Sequence, residues 1–375
     1  RIVLERLPMT RLRHACWLHF VAAIAVFQFS DCVRQSYAGE ESPVTKLMFS
    51  GHSLLDNPLP DWVERIVRSK GGNLEWQQQI VIGSPVRVRT WGDGNWSGYH
   101  DGKNRWGEKL DIIKELRQPE DGRPYDILVL AESHSVVGAI IWENAIGYLR
   151  HFHDQLAAGN ARGQTFYYHA WLDIDKADPT AWLEHETNAA MVWDCAAARV
   201  NLSLREESRP AAISVLPAGA ALVELVRRIL SNEVAGLEGS SRQQLDRIFS
   251  DNVHLTEAGV YFLAALHYGV IFGRSPEGAA SPPGVAPQLA ASLQEIAWEV
   301  AQRHRARSGE PAPDMEACRR EIATNVCQSY WEMKARPGEI RNCRSYFSRS
   351  TPEPAGNPFI WPDPTWKALP APAVH

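Results

Sequence analysis

A serine just past a glycine-marked strand end, and an aspartate three positions before a histidine some two hundred residues later, are the side chains here best suited to nucleophilic chemistry. "KLMFSGHSLLD" reads as an apolar strand that breaks at Gly51 and leaves Ser53 beyond its carboxyl end, where open α/β sheets build their sites. A serine hydroxyl is a weak nucleophile until a base takes its proton and an acid orients that base. "SDNVHLTEAG" offers both, since a spacing of three lets Asp251 and His254 converge from one loop or helical turn. Asp251 would fix the imidazole, and His254 would receive the proton. Each residue also has a plainer role open to it: Ser53 or Asp251 as a helix cap, His254 as a satisfied core histidine. His52, His100, His134 and His169 could gather as imidazole ligands, but their spacing fits no metal-site template, and the sequence reads as a site with no metal and no cofactor.

The elements that must position these groups alternate regularly. "KLMFS", "QQQIVIGS", "YDILVLAES", "QTFYYHAWLD" and "AISVLPAG" have the apolar character of strands buried in a parallel sheet. Between and after them, amphipathic segments read as helices: "LPDWVERIVRSKGG", "GEKLDIIKEL", one long helix through "AIIWENAIGYLRHFHDQLAAGN", then "DPTAWLEHETNAAMVWDCAAARVNLS", "AALVELVRRILSNE" and "LTEAGVYFLAALHYGVIFG". Five alternations predict an α/β fold, a three-layer α/β/α sandwich around a parallel sheet with right-handed crossovers. After Gly273 the composition shifts to a Pro/Gly/Ala linker, a helix over "LAASLQEIAWEVAQRHRAR" and a proline-rich end expected to be extended or disordered. The expected organisation is an upstream extension and signal peptide over residues 1–38, a catalytic domain over 44–273, and a linker, helix and cysteine-containing extension over 274–375.

Composition narrows the partners. With 45% hydrophobic and 22% charged residues and a formal net charge of -5, the chain is a folded protein without the basic surface that nucleic acid requires. Arg11, Arg13 and His14 precede an apolar stretch from Ala15 to Phe29, and Ser36 and Ala38 supply small residues for cleavage. This order predicts export to a periplasmic or extracellular location, with no membrane association once the signal is removed. Export suits the cysteines: Cys195, Cys318, Cys327 and Cys343 would remain, an even number that suggests two disulfides with three possible connectivities. Trp is frequent at 14 copies. Trp91, Trp96, Tyr99 and Trp106 fall in one glycine-rich loop, and with Trp142 and Trp171 they are candidate platforms for a sugar or another flat ligand.

"FSGHSLLD" and "SDNVHLTEAGVYFLA" together resemble the first and last blocks of the SGNH, or GDSL-type, serine hydrolases. The resemblance spans roughly residues 44 to 273 and implies a flavodoxin-like sandwich with Ser53 as nucleophile, His254 as base and Asp251 as its orienting acid. It also implies an oxyanion pocket built from the amides of Ser53 and Gly83. The third block, usually Gly-x-Asn-Asp, falls on Ala131-Glu132-Ser133-His134, so Ser133 stands where an asparagine would donate. Ser133, His134 or Asn144 would have to substitute, because losing one such donor commonly costs on the order of 100 to 1,000-fold in rate. His52 replaces the usual aspartate beside the nucleophile. The implied function is an exported ester hydrolase acting on an acylated small molecule or carbohydrate. Alternatives are an O-acyltransferase of the same fold, or a carbohydrate-binding protein whose oxyanion hole has decayed.

Overall fold

Five short strands, each nearly or wholly buried, run in one direction: β1 (Val44–Gly51), β2 (Asn73–Ile80), β3 (Ile127–Ala131), β4 (Gln164–Tyr168) and β5 (Ile213–Leu216). The computed structural model describes residues 43–90, 102–307, 311–351 and 356–363. The sheet order is β2-β1-β3-β4-β5, all parallel, with Gly51 paired to Ile80 and Ser50 to Leu130. This is the flavodoxin-like order, in which the chain reverses direction across the sheet between β1 and β3. Under the general right-handed rule for parallel crossovers, that reversal sends helices to opposite faces, in keeping with the three-layer α/β/α sandwich.

One layer contains α1 (Leu59–Ser69), which follows β1. Pro60 lies in its first turn, where its missing N–H is harmless, and Trp62, Ile66 and Val67 form the buried stripe. Trp62 meets Tyr261 edge-on, with centroids 5.8 Å apart, which packs this helix on the one that follows the Asp251–His254 loop. The opposite layer holds α2 (Ile112–Arg117), α3 (Val136–Trp142), α4 (Ala145–Gly159) and the 27-residue α5 (Thr180–Glu206). After β5 come α6 (Ala218–Leu230), α7 (Ser241–Asp246) and α8 (Glu257–Phe272). The single long helix expected over residues 139–160 is broken in two. Asn144 adopts φ 49 and ψ 41, a left-handed conformation that ends one helical run and starts another.

The region after Gly273 does not stand apart. α9 (Pro287–Arg307) packs along α8, with Gln294 Nε2 donating to the Tyr261 hydroxyl at 2.6 Å. Beyond it, α10 (Met315–Glu321), a π-helical turn (Ile322–Val326), α11 (Cys327–Met333) and α12 (Ile340–Phe347) bury Cys318, Ile322, Val326, Tyr330, Trp331 and Phe347 in the same core as the sheet. The proline-rich end departs from the expected extended chain over 356–363. Phe359 is fully buried and stacks on Phe347, and the Pro358 carbonyl accepts from Arg199 Nε at 2.6 Å. Among the described residues no helix is long and apolar enough to cross a membrane. The expected signal peptide lies outside the described residues.

Of the three possible cysteine pairings the fold selects Cys195–Cys318 and Cys327–Cys343. The first ties α5 to α10 across 123 residues, and the second closes a loop of only 16. Loop-closure entropy grows with loop length, so the long-range bond restricts the unfolded chain more. Replacing Cys195 and Cys318 together by alanine is therefore expected to lower unfolding free energy by about 3 to 5 kcal/mol, more than the same change at Cys327 and Cys343. Denaturant titration of the two double variants checks the order.

Candidate active site

Gly51 ends β1 where only glycine fits: a Cβ there would lie 2.8 Å from the Leu55 Cβ and 3.3 Å from that of Ala131. The chain turns sharply, with Leu55 N–H donating to the His52 carbonyl at 2.9 Å, and Ser53 emerges at the top of the sheet. The partner loop is built just as locally. Phe249 and Leu255 form an antiparallel bridge, Ser250 N–H donates to the His254 carbonyl, and Thr256 caps α8 by accepting from Gly259 N–H. Gly259 is required by packing, since a Cβ would lie 2.5 Å from the Ile248 carbonyl oxygen.

That loop delivers the imidazole to Ser53 across 201 residues of sequence. His254 Nδ1 donates to Asp251 Oδ2 at 2.7 Å, which leaves Nε2 as the acceptor for the Ser53 hydroxyl at 3.0 Å. Asp251 Oδ1 also accepts from the backbone N–H of Val253 and of His254, at 2.7 and 2.6 Å. Slight burial works against ionisation of this carboxyl. The two amides and the imidazole outweigh it and bring its pKa down to about 2. Asp251 thus caps its own turn and orients the imidazole, while the helix cap expected of it falls to Thr256.

Gly83 follows β2 in a turn closed by Ser84 N–H to the Val81 carbonyl at 3.2 Å. Its φ is 68, and a Cβ there would meet nothing within 4 Å. Val81 N–H donates to the Gly51 carbonyl, so the two strand ends that carry Ser53 and Gly83 run side by side. Neither the Ser53 nor the Gly83 N–H donates to any described residue. Ser133 gives its N–H to Glu132 Oε1 at 2.7 Å, and its Oγ accepts from Ser135 N–H at 3.3 Å; its hydroxyl hydrogen remains available. His134 approaches His52 edge-on at 6.3 Å. Asn144 is exposed, and its side chain folds over Gly147 of its own helix.

Two of the six expected ligand platforms stand open, at different places. Trp106 is 70% exposed, and Trp142, at 61%, meets Trp331 edge-on at 5.8 Å. Trp171 is a correction. It is wholly buried, and its Nε1 donates to the Val253 carbonyl at 3.0 Å, so it supports the Asp251–His254 loop from beneath and offers no face to a ligand. Trp91, Trp96 and Tyr99 lie outside the described residues. So does His100 of the imagined histidine cluster, and His169 is buried against Trp193 with centroids 5.2 Å apart.

Beneath Ser53 lies a polar network with no clear local signal in the sequence. Arg89 is fully buried, and its guanidinium donates to the Ala131 carbonyl, to the Ser84 carbonyl (2.8 Å) and hydroxyl (2.9 Å), and to the Ser50 hydroxyl (3.2 Å). It thereby holds the turn carrying Gly83 against the ends of β1 and β3. Glu132 is also fully buried; its Oε1 accepts from Val86 and Ser133 N–H, and burial pushes its carboxyl up to about 7 despite the Arg89 charge. His52 accepts from Leu54 N–H at Nδ1 and donates from Nε2 to the Glu132 carbonyl at 2.9 Å. Burial first, and then the Arg89 charge, bring its pKa down to about 3, so a neutral ring bridges the serine turn to β3.

No protein-family model and no curated protein matches this chain. Among solved structures, the chain is similar to a DUF4886 family protein from Bacteroides uniformis ATCC 8492, at a TM-score of 0.49 and 12% identity, over 69% of this chain and 95% of that one.

Proposed function

We propose that this chain is an exported serine ester hydrolase of the SGNH type, acting on an acylated small molecule or carbohydrate. The observation that carries the reading is the continuous run of two hydrogen bonds from Asp251 through His254 to Ser53 at the carboxyl end of a parallel sheet. Its two disulfides favour an oxidising compartment, which supports export.

In this mechanism Ser53 Oγ attacks the ester carbonyl carbon as its proton passes to His254 Nε2. The Asp251 carboxylate stabilises the imidazolium and stays unprotonated. The Ser53 and Gly83 amides, with the Ser133 hydroxyl, donate to the oxygen that gains charge. Collapse breaks the bond to the alcohol, which leaves with the proton from His254. Water then gives its proton to His254 and attacks the acyl-enzyme, releasing the acid and returning the proton to Ser53. Arg89 and Trp171 touch no reacting atom and act as positioning residues.

A fluorophosphonate is expected to add covalently to Ser53, seen by intact mass, and Ser53→Ala should lower kcat on a short aryl ester by on the order of 10⁴ to 10⁶-fold. An unlabelled protein whose aryl-ester rate equals that of Ser53→Ala would sink the proposal. Trp171→Phe keeps an aromatic ring in the core but removes the indole N–H, strands the Val253 carbonyl and leaves a small void beneath the loop; kcat should fall on the order of ten-fold with KM unchanged, because the misplaced group is the base. Asp251 supplies a pH signature. Its folded pKa is depressed, so its stabilising effect is complete above the unfolded carboxyl value and is lost as pH falls toward about 2. The stability difference between the native protein and Asp251→Asn should accordingly shrink between about pH 4 and pH 2, measured by denaturant unfolding at each pH.

A further inference from the structure

A cleft of about 420 Å³ opens beside Ser133, between α3 and α11. Trp142 and Trp331 form an aromatic wall, with Tyr330 beside them, and Lys334 and Arg336 line the cleft just past the end of α11. Ala335 between these two has φ 53, a left-handed turn in which Arg336 N–H donates to the Trp331 carbonyl at 2.8 Å, and residues on both sides of it face the cleft. The charges do not cancel. Glu143, the one acidic lining residue, pairs with Arg87 at 2.5 Å, whereas neither Lys334 nor Arg336 has a carboxylate partner among the described residues. A lysine and an arginine near a helix end complement its dipole, but that role does not require both to line a cleft with tryptophan.

The cleft adjoins the candidate nucleophile. Ser133 donates its N–H to Glu132, the Glu132 carbonyl accepts from His52, and His52 precedes Ser53. His134, the next residue after Ser133, meets the His52 ring edge-on at 6.3 Å. We infer that this cleft binds a uronic-acid residue of the substrate, so that the ester presented to Ser53 is carried by a carboxylated saccharide. Trp142, exposed and backed edge-on by the buried Trp331, offers its face to the sugar ring, and the Arg336 fork, which lies 5.7 Å from the Trp331 ring, and the Lys334 ammonium meet its carboxylate. This rests on the hydrolase reading only for the ester; the anion site stands on its own residues.

The test uses Ser53→Ala, so that binding is read without turnover. Calorimetry should show trigalacturonic acid binding roughly ten-fold more tightly than neutral galactotriose at low salt, an advantage that shrinks as salt rises. Adding Lys334→Gln and Arg336→Gln should erase the preference while the melting temperature holds. Arg336→Gln alone, at an exposed position, should reduce it several-fold and serves if the combined variant is unstable. Equal affinity for the two sugars, or a preference that survives both variants, overturns the inference. A Ser53 that resists the fluorophosphonate in a protein that still prefers the uronate sinks the hydrolase and leaves the anion site; a labelled Ser53 without the preference does the reverse.

Discussion

The Arg89 guanidinium, sealed from solvent at the carboxyl end of the sheet, joins the ends of β1 and β3 and the turn after β2 through donors to Ser50, Ala131 and Ser84. A parallel sheet leaves the carbonyls at its strand ends without ladder partners, and burying them unpaired is costly. From one fixed fork Arg89 satisfies the Ala131 carbonyl, the Ser84 carbonyl and the hydroxyls of Ser84 and Ser50. Breaking such a buried arrangement by removing one member typically costs about 3 to 5 kcal/mol. The positions of Ser53 and Gly83 are therefore inherited from a buried cation neither of them touches.

Above this clamp the two halves of the site arrive by different routes. Ser53 is delivered by strand geometry, since β1 is an interior strand, paired on both sides, and its glycine corner admits no other residue. His254 is delivered by a helix start: the Thr256 cap, the Phe249–Leu255 bridge and the Trp171 hydrogen bond to Val253 fix a loop in which Asp251 and His254 are neighbours. Asp251 and His254 are half-exposed, at 56% and 45%, so their order comes from these local bonds more than from burial. His52 is part of the same bracing. A neutral imidazole, held neutral by burial, makes two hydrogen bonds that brace the serine turn.

The region after Gly273 is integral to the domain. α9 lies on α8, the Cys195–Cys318 bond anchors α10 to α5, and α11 brings Trp331 to Trp142. Its proline content and its position after a linker made it read as an appendage. Proline limits regular structure without preventing burial, and Phe359 and Ile360 pack in the core although the segment around them is neither helix nor strand.

The alternation of apolar runs with amphipathic stretches was enough to establish the layers and the parallel sheet, because burial on both faces of a strand and on one face of a helix are local demands on residue type. Gly51, Ser53, Asp251, His254 and Gly259 were legible for the same reason, each tied to a turn or cap formed by its own neighbours. Tertiary structure alone decided which cysteines pair, that Trp171 braces a loop while Trp142 faces a cleft, that Asn144 breaks a helix, and that a buried Arg89 underlies Ser53. Those outcomes depend on what lies across the core from each residue. Sequence neighbours carry little information about such contacts, since they are chosen by packing and by the need to satisfy buried polar groups.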